Sequence, residues 1–499
     1  MTDVETVADL ATNTGAPTRA HWWVLVVIAC AQLMIVLDTT IMLIALPSAQ
    51  RSLGFSNVDR QWVITAYTLG FGGLLLLGGR ISDVIGPKRS LVIGVVTFAA
   101  ASALGGAAQS TGMLIGARAI QGMFAALMAP SVLSLLTTTF TDAHERARAF
   151  GIYVTIAIGG AAFGLILGGV LTQYLDWRWC LYVNLPIAAV VTFGAITLIP
   201  KRPGRSGVKL DIPGAVLGCG GLVALVYGLG EAGTKGWSST TVVVSLVTAA
   251  ILLCAFALVQ SKVSSPLLPL RILQDRNRGG AFITTLLAQV GLFGTFFFLT
   301  YLLQTVDHYS PLVTGVAFLP LMAANAIGAT QISSRLMNRV RTRYLVVPGL
   351  LLAALGASLL TQLTPGASYL GHILPTELLM GIGLGLAIVP CLSTATNHAE
   401  PKDVGITSAT FNTSQQIGAS IGTALLNTVA ATATAAYLVS HASTGASVSA
   451  ATVHGFSVAS GWAAGVLVLA AIAGGFLINA HPGRESAVDD LAAASVGLE

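Results

Sequence analysis

Asp38, Arg118 and Glu377 are ionisable side chains set inside long apolar stretches of this chain. A charge at membrane depth costs roughly 2.5 to 3.5 kcal/mol even on insertion scales, so such residues face a protein interior and mark relays, ion paths or counter-charges. A carboxyl removed from water can keep its proton near neutral pH, while a guanidinium brought close favours release of that proton. A carboxyl and a guanidinium that approach and part as the protein moves would make proton affinity follow conformation, which is what coupling requires. Counting ~1.5 Å per residue from the expected span ends puts Asp38 and Glu377 ~10 to 12 Å deep and Arg118 ~9 to 10 Å deep, at one shared level. Two plainer readings stand beside this one. Asp38 and Arg118 form a fixed structural pair, or Glu377 sits wetted at the mouth of a span that begins late.

Other chemistry lacks its residues. No histidine lies in mid-span, no two carboxylates share an i, i+3 or i, i+4 face within a span, and GxSxG, HExxH and GxxxxGK[ST] do not occur;. A membrane enzyme is therefore disfavoured, and the energy for any transport should come from an ion gradient rather than a nucleotide. Cys30, Cys180, Cys219, Cys254 and Cys391 lie in or at the edge of spans without CxxC spacing, so they read as packing residues with neither metal nor disulfide implied;. No cofactor is expected.

The elements that must position these residues follow from composition. Of 499 residues only 9% are charged and 54% are hydrophobic, with a mean hydropathy of +0.80. A water-soluble chain of this length would expose too much apolar surface, so the solvent is lipid. Only a helix of about 20 residues satisfies its own backbone while crossing a hydrocarbon core of roughly 30 Å. Fourteen such runs lie at about 22 to 46, 60 to 79, 90 to 108, 112 to 136, 149 to 172, 180 to 199, 212 to 230, 240 to 260, 279 to 303, 312 to 333, 345 to 363, 371 to 393, 405 to 438 and 456 to 479. The first 20 residues hold acids and no apolar core, so they read as a cytoplasmic tail rather than a cleaved signal;.

Lys and Arg near span ends collect on the cytoplasmic side. With the N-terminus inside, 20 of the 25 Lys and Arg fall in cytoplasmic segments, Arg51, Arg60, Arg178 and Lys235 fall outside, and Arg118 lies within a span. Both termini are therefore expected in the cytoplasm of a bacterial cell, with the chain in its inner membrane. The pI near 9.0 reflects that topology and makes no case for nucleic acid.

Polar connections divide the chain into a tail (1–21), six spans (22–200), a linker with inserted spans 7 and 8 (201–261), six further spans (262–480) and a second tail (481–499). An internal repeat supports the cut: GRISDVIGPKRSLV from Gly79 aligns without gaps on SRLMNRVRTRYLVV from Ser334, so that Arg80 meets Arg335, Asp83 meets Asn338 and Lys88 meets Arg343. The expected fold is an all-α membrane protein of fourteen transmembrane helices, two six-helix pseudo-symmetric bundles plus an inserted pair. Parallel halves facing each other across a cavity are a transporter architecture.

On these residues the chain resembles the major facilitator superfamily, in its fourteen-span drug:proton antiporter branch, over about residues 22 to 480. GRISDVIGPKR is similar to the signature between spans 2 and 3, departing from it at Val84 and Pro87. LDTTIMLIALP at 37–47, LIGARAIQG at 114–122 and WRWCLYVNLPI at 177–187 resemble motifs of spans 1, 4 and 6. In span 5, Gly151, Gly160, Gly164, Gly168 and Gly169 fall on the branch's antiporter pattern, with Leu165 in place of its proline.

The resemblance implies roles. Gly79, Asp83, Gly86 and Arg89 would form a conformational latch at the cytoplasmic end of span 2. The span 5 glycines would let span 11, or its equivalent in the opposite half, approach closely enough to seal the cavity; ordinary small-residue packing explains the same spacing. Phe293, Phe297 and Tyr301 of span 9, with Asn412 and Gln416 of span 13, could line an apolar pocket with sparse polar groups, though lipid-facing rings and packing amides account for them too. The function expected is proton-coupled export of lipophilic drugs or antibiotics by a monomer in contact with lipid. Export of an endogenous lipid, siderophore or secondary metabolite by the same mechanism is the alternative, and a non-transporting membrane sensor the remote one.

Overall fold

The computed structural model describes residues 19–480 apart from 141, 202, 205–209, 264, 338, 365, 397–402 and 442–446. Among them, fourteen helices are long and apolar enough to cross a membrane. Spans 1 to 7 are His21–Leu53, Asp59–Ile85, Pro87–Gly106, Thr111–Thr139, Arg148–Tyr174, Trp179–Leu198 and Ile212–Lys235. Spans 8 to 14 are Thr240–Lys262, Arg276–Val306, Pro311–Leu336, Arg343–Gln362, Tyr369–Thr396, Val404–Ser440 and Val448–Leu477. A helix meets every expected run, and no strand occurs among the described residues. The two tails fall almost wholly outside the described residues, as does Asn338 of the repeat.

Local chemistry sets the helix ends. Side chains of Ser56, Ser110, Asp211, Ser239, Asp275, Ser310 and Ser447 each accept a hydrogen bond from a backbone N–H in the first turn that follows. These caps satisfy donors that a starting helix leaves without a partner. The turns between spans 1 and 2 and between spans 2 and 3 close on Gly54 and Gly86, at φ of +68° and +90°, where a side chain would be strained. The ends of the bundle are named here for those two glycines. Span 1 runs seven residues past its expected end at 46, so a depth counted from there falls short of the helix end by ~10 Å.

Spans 1 to 6 pack as the pairs 1–5, 1–6, 2–4, 3–4 and 3–6, and spans 9 to 14 repeat that set as 9–13, 9–14, 10–12, 11–12 and 11–14. Span 5 also meets span 10, and span 2 meets span 13. Span 7 rests on spans 2 and 13, whereas span 8 packs on span 7 and is the least buried of the fourteen. Span 9 ends in a π-helical turn at Leu302–Val306, span 10 contains one at Gly328–Ser333 and span 12 begins with one at Tyr369–Ile373, a geometry frequent at working sites.

Candidate functional site

Asp38 and Arg118 meet in the interior of spans 1 to 6, both fully buried. Arg118 Nη1 lies 2.5 Å from Asp38 Oδ2. The second carboxylate oxygen, Oδ1, accepts from Gln121 Nε2 and Asn184 Nδ2, each at 2.8 Å. Both amides also reach the Ser102 hydroxyl, at 2.6 and 3.0 Å. Nη1 also donates to Gln121 Oε1 (3.0 Å) and Nε to the Val63 carbonyl (3.2 Å), and the guanidinium stacks 4.4 Å above the Tyr67 ring. A charged pair survives burial only when its lone pairs and protons are matched in this way. In this conformation Asp38 and Arg118 are held as a compensated pair.

Sequence reasoning found the two charges but not Ser102, Gln121, Asn184 or Tyr67. Gln121 stands one helical turn after Arg118 inside LIGARAIQG, and Asn184 lies inside WRWCLYVNLPI, so the span 4 and span 6 motifs held them without showing that they converge.

Glu377 does not join this cluster. It is fully buried, which corrects the reading of it as a wetted residue at the mouth of its span. The Tyr369 hydroxyl lies 3.1 Å from Glu377 Oε2 and 2.7 Å from the Ala317 carbonyl oxygen, and Glu377 Oε1 has no hydrogen-bond partner among the described residues. Among the described residues Glu377 makes no ion pair.

A third cluster ties the two sets of spans together toward the Gly54 end. Arg60 is buried. Its guanidinium carbon lies 3.7 Å from the Tyr301 ring centroid and 4.7 Å from that of Phe297, and Nη2 donates to Asn427 Oδ1 at 2.9 Å. Asn427 in turn donates to Gln61 Oε1, Tyr301 to Gln50 Oε1, and Gln304 to the Ile44 carbonyl. Toward mid-span the Thr68 and Ser420 hydroxyls are 2.6 Å apart and Thr413 donates to the Gly72 carbonyl.

Two of the residues expected to line a substrate cavity, Phe297 and Tyr301, are thus buried against Arg60. Phe293 is half-buried one turn earlier. On span 13, Asn412 donates to the Ser408 carbonyl of its own turn, and Gln416 packs against Gly72.

The span 5 glycines face other neighbours than expected. Gly160, Gly164 and Gly168 lie against Leu33, Thr40 and Ile41 of span 1. Gly169 faces span 10, where a Cβ would stand 2.6 Å from Leu312 Cα, and Gly315 of span 10 is as tightly set against the Leu165 carbonyl. The opposite-half partner is span 10 and not span 11, and the two helices approach at their Gly54 ends. Gly151 has no neighbour within 4 Å of where a Cβ would be.

At the Gly86 end the latch residues stand apart. Asp83 and Arg89 are exposed, and Asp83 forms no ion pair among the described residues. Lys88 instead donates to the carbonyls of Ile199 and Ile196 at the end of span 6, at 2.5 and 2.9 Å, a favoured place for a cation;. Arg80 donates to the Pro266 carbonyl. Gly79 lies beside Pro130 of span 4.

Comparison with known proteins gives a consistent result. Residues 28–423 match the profile of the Major Facilitator Superfamily. The chain is 50% identical over 498 residues to the puromycin resistance protein pur8 of Streptomyces alboniger, covering 99% of this chain and 98% of that one. It is 38% identical over 422 residues to the cephamycin export protein CmcT of Amycolatopsis lactamdurans, covering 83% and 87%. In fold it is similar to a bacterial homolog of the human lysosomal transporter Spinster, with a TM-score of 0.65 at 15% identity over 93% of this chain and 98% of that one.

Proposed function

The chain belongs to the major facilitator superfamily, and from that premise we propose that it exports lipophilic, antibiotic-like small molecules in exchange for protons. It is a multi-pass membrane transporter and not an enzyme. The observation that carries the proposal is the buried Asp38–Arg118 pair, a carboxylate whose compensation depends on a guanidinium from another helix. Separation of the two helices would leave the carboxylate to take up a proton, and their return would expel it. Likeness to puromycin resistance and cephamycin export proteins supports the substrate class.

Spans 1–6 and 9–14 act as two related bundles, for which the repeated packing pairs are the support, with spans 7 and 8 inserted between them. The Gly54 end faces the outside, both termini lie in the cytoplasm, and the protein works as a monomer in the bacterial inner membrane, in contact with lipid. The ties at Arg60, Gly169 and Gly315 close the outer side, so this conformation opens to the cytoplasm, and Asp83 makes no ion pair among the described residues. When the cytoplasmic side closes, Gly79, Asp83, Gly86 and Arg89 engage as the latch. Phe293, Phe297, Tyr301, Asn412 and Gln416 contribute to the substrate path once Arg60 withdraws.

Expression in an efflux-deficient bacterial host tests the reading. It should raise resistance to at least one lipophilic antibiotic in a panel, and the gain should vanish when an uncoupler collapses the proton gradient. Unchanged resistance across the panel, or export indifferent to the uncoupler, would overturn it.

A further inference from the structure

Glu377 presents a hydrogen-bonding problem that one extra proton resolves. Tyr369 has a single hydroxyl proton, yet that hydroxyl lies within reach of two acceptors, the Ala317 carbonyl at 2.7 Å and Glu377 Oε2 at 3.1 Å. An ionised carboxylate only accepts. One proton serves two oxygens only as a weakened three-centre bond, and among the described residues the buried Oε1 lacks a donor. With a proton on Oε2, the carboxyl donates to the Tyr369 oxygen and Tyr369 donates to Ala317. The bare Oε1 is then the carbonyl of a neutral acid, which costs far less to bury than a charge.

Tyr369 also borders a cavity of about 520 Å³ at the Gly54 end, lined with Asp307, Tyr309, Ser368 and Ser449. These residues belong to the 9–10 and 11–12 connections and to span 14, so the cavity does not pass between the two sets of spans. The π-helical turn Tyr369–Ile373 places Tyr369 between this cavity and Glu377. Among the described residues, titratable groups nearby include His372, whose Nδ1 is buried without a partner there, and Asp307, Tyr309 and His308 from the 9–10 connection. Partial burial pushes the Asp307 carboxyl above its ordinary range, against the opposing influence of His308, which suits a group handing on protons.

We infer that Glu377 is a proton-binding site filled from the Gly54 face through this cavity by way of Tyr369, so that proton and exported solute enter by separate doors. In the transfer, a hydronium ion in the cavity gives its proton to the Tyr369 oxygen while the tyrosine's own proton passes to Glu377 Oε2. Water is left behind, tyrosine is regenerated and the carboxylate is neutralised. The inference rests on the proton-coupled export proposed above.

The test uses the full-length protein in oriented proteoliposomes, with infrared difference spectra read after an acid step on one face. The wild type should show the carbonyl band of a neutral carboxylic acid that Glu377→Gln removes. Acidifying the Gly54 face should load that site faster than acidifying the opposite face. Tyr369→Phe, which keeps the ring, should slow loading by at least about tenfold with solute affinity unchanged. A wild-type spectrum without a Glu377-dependent band, loading equally fast from both faces, or Tyr369→Phe loading at the wild-type rate would overturn the inference even if export proves proton-driven. A Glu377 band with side-selective, Tyr369-dependent loading would uphold it even if solute export proved uncoupled from protons.

Discussion

The molecule buries two carboxyl groups in opposite surroundings. Asp38 has a guanidinium at 2.5 Å and two amide donors at 2.8 Å, and those donors are held in turn by Ser102, Val63 and Tyr67. Glu377 has one tyrosine hydroxyl, already shared with a backbone carbonyl, and an oxygen with no partner. Burial alone therefore does not decide what a carboxyl does. The first site can hold a charge because a guanidinium and two amides compensate it, and on the proposed coupling it would change when the helices carrying those groups move. The second can hold a proton without any such movement, and its access lies within one set of spans.

The comparison can be broken most forcefully at Arg118. Arg118→Met leaves Asp38 buried without a cation, and removing one partner of a buried pair costs ~3 to 5 kcal/mol. The purified variant should therefore unfold at a clearly lower temperature, and adding Asp38→Asn should recover part of the loss. If the two substitutions simply add, the pair is not coupled. Arg118→Lys keeps the charge but loses the fork that reaches Gln121 and Val63 together, so a smaller loss of ~1 to 2 kcal/mol is expected in the same measurement. Glu377→Gln should cost under ~1 kcal/mol, because an amide N–H can donate to Tyr369 as the neutral acid does. A loss as large as that of Arg118→Met would mean Glu377 is ionised and paired, and the contrast would collapse.

The smallest effect is at Asp307. Its folded-state proton affinity is raised by burial, so the folded protein holds that proton more tightly than the unfolded chain does, and ionised Asp307 weighs against folding at neutral pH;. Asp307→Asn should therefore stabilise the protein at pH 8 by less than ~0.5 kcal/mol, given the screening of a half-exposed group. The gain should fade as pH drops through the raised value and vanish below the ordinary one. Thermal unfolding across that range would show it, and a gain that grew toward acid would have the wrong sign.

Much of this was legible in the sequence because lipid enforces it. Fourteen apolar runs had to be helices, and Asp38, Arg118 and Glu377 stood out because charge in an apolar run is costly. Ser102, Gln121 and Asn184 stayed hidden because a neutral polar side chain in a span is cheap enough to be ordinary packing. Their meaning lies in the convergence of spans 3, 4 and 6 on span 1, which no local pattern encodes.

The burial of Arg60 stayed hidden for a related reason. A cation near a span end looks the same in sequence whether it faces water or two aromatic rings of another helix. The span 5 glycines announced a close approach without saying to what, since small residues fit a neighbour's backbone whichever neighbour it is. The π-helical turn before Glu377 leaves hydrophobic periodicity almost unchanged, so the reach of Tyr369 had no signal to read.

Coupling through Asp38 is the claim on which the rest depends, and proteoliposomes carrying wild type or Asp38→Asn under an imposed pH gradient test it most directly. Solute movement and proton flux are followed together. The amide keeps the shape of the site and can still accept from Gln121 and Asn184, but it cannot ionise. The variant should bind solute with near wild-type affinity yet show neither gradient-driven transport nor solute-dependent proton flux. Transport at the wild-type rate with an unchanged proton requirement would contradict the assignment of Asp38 as the coupling residue.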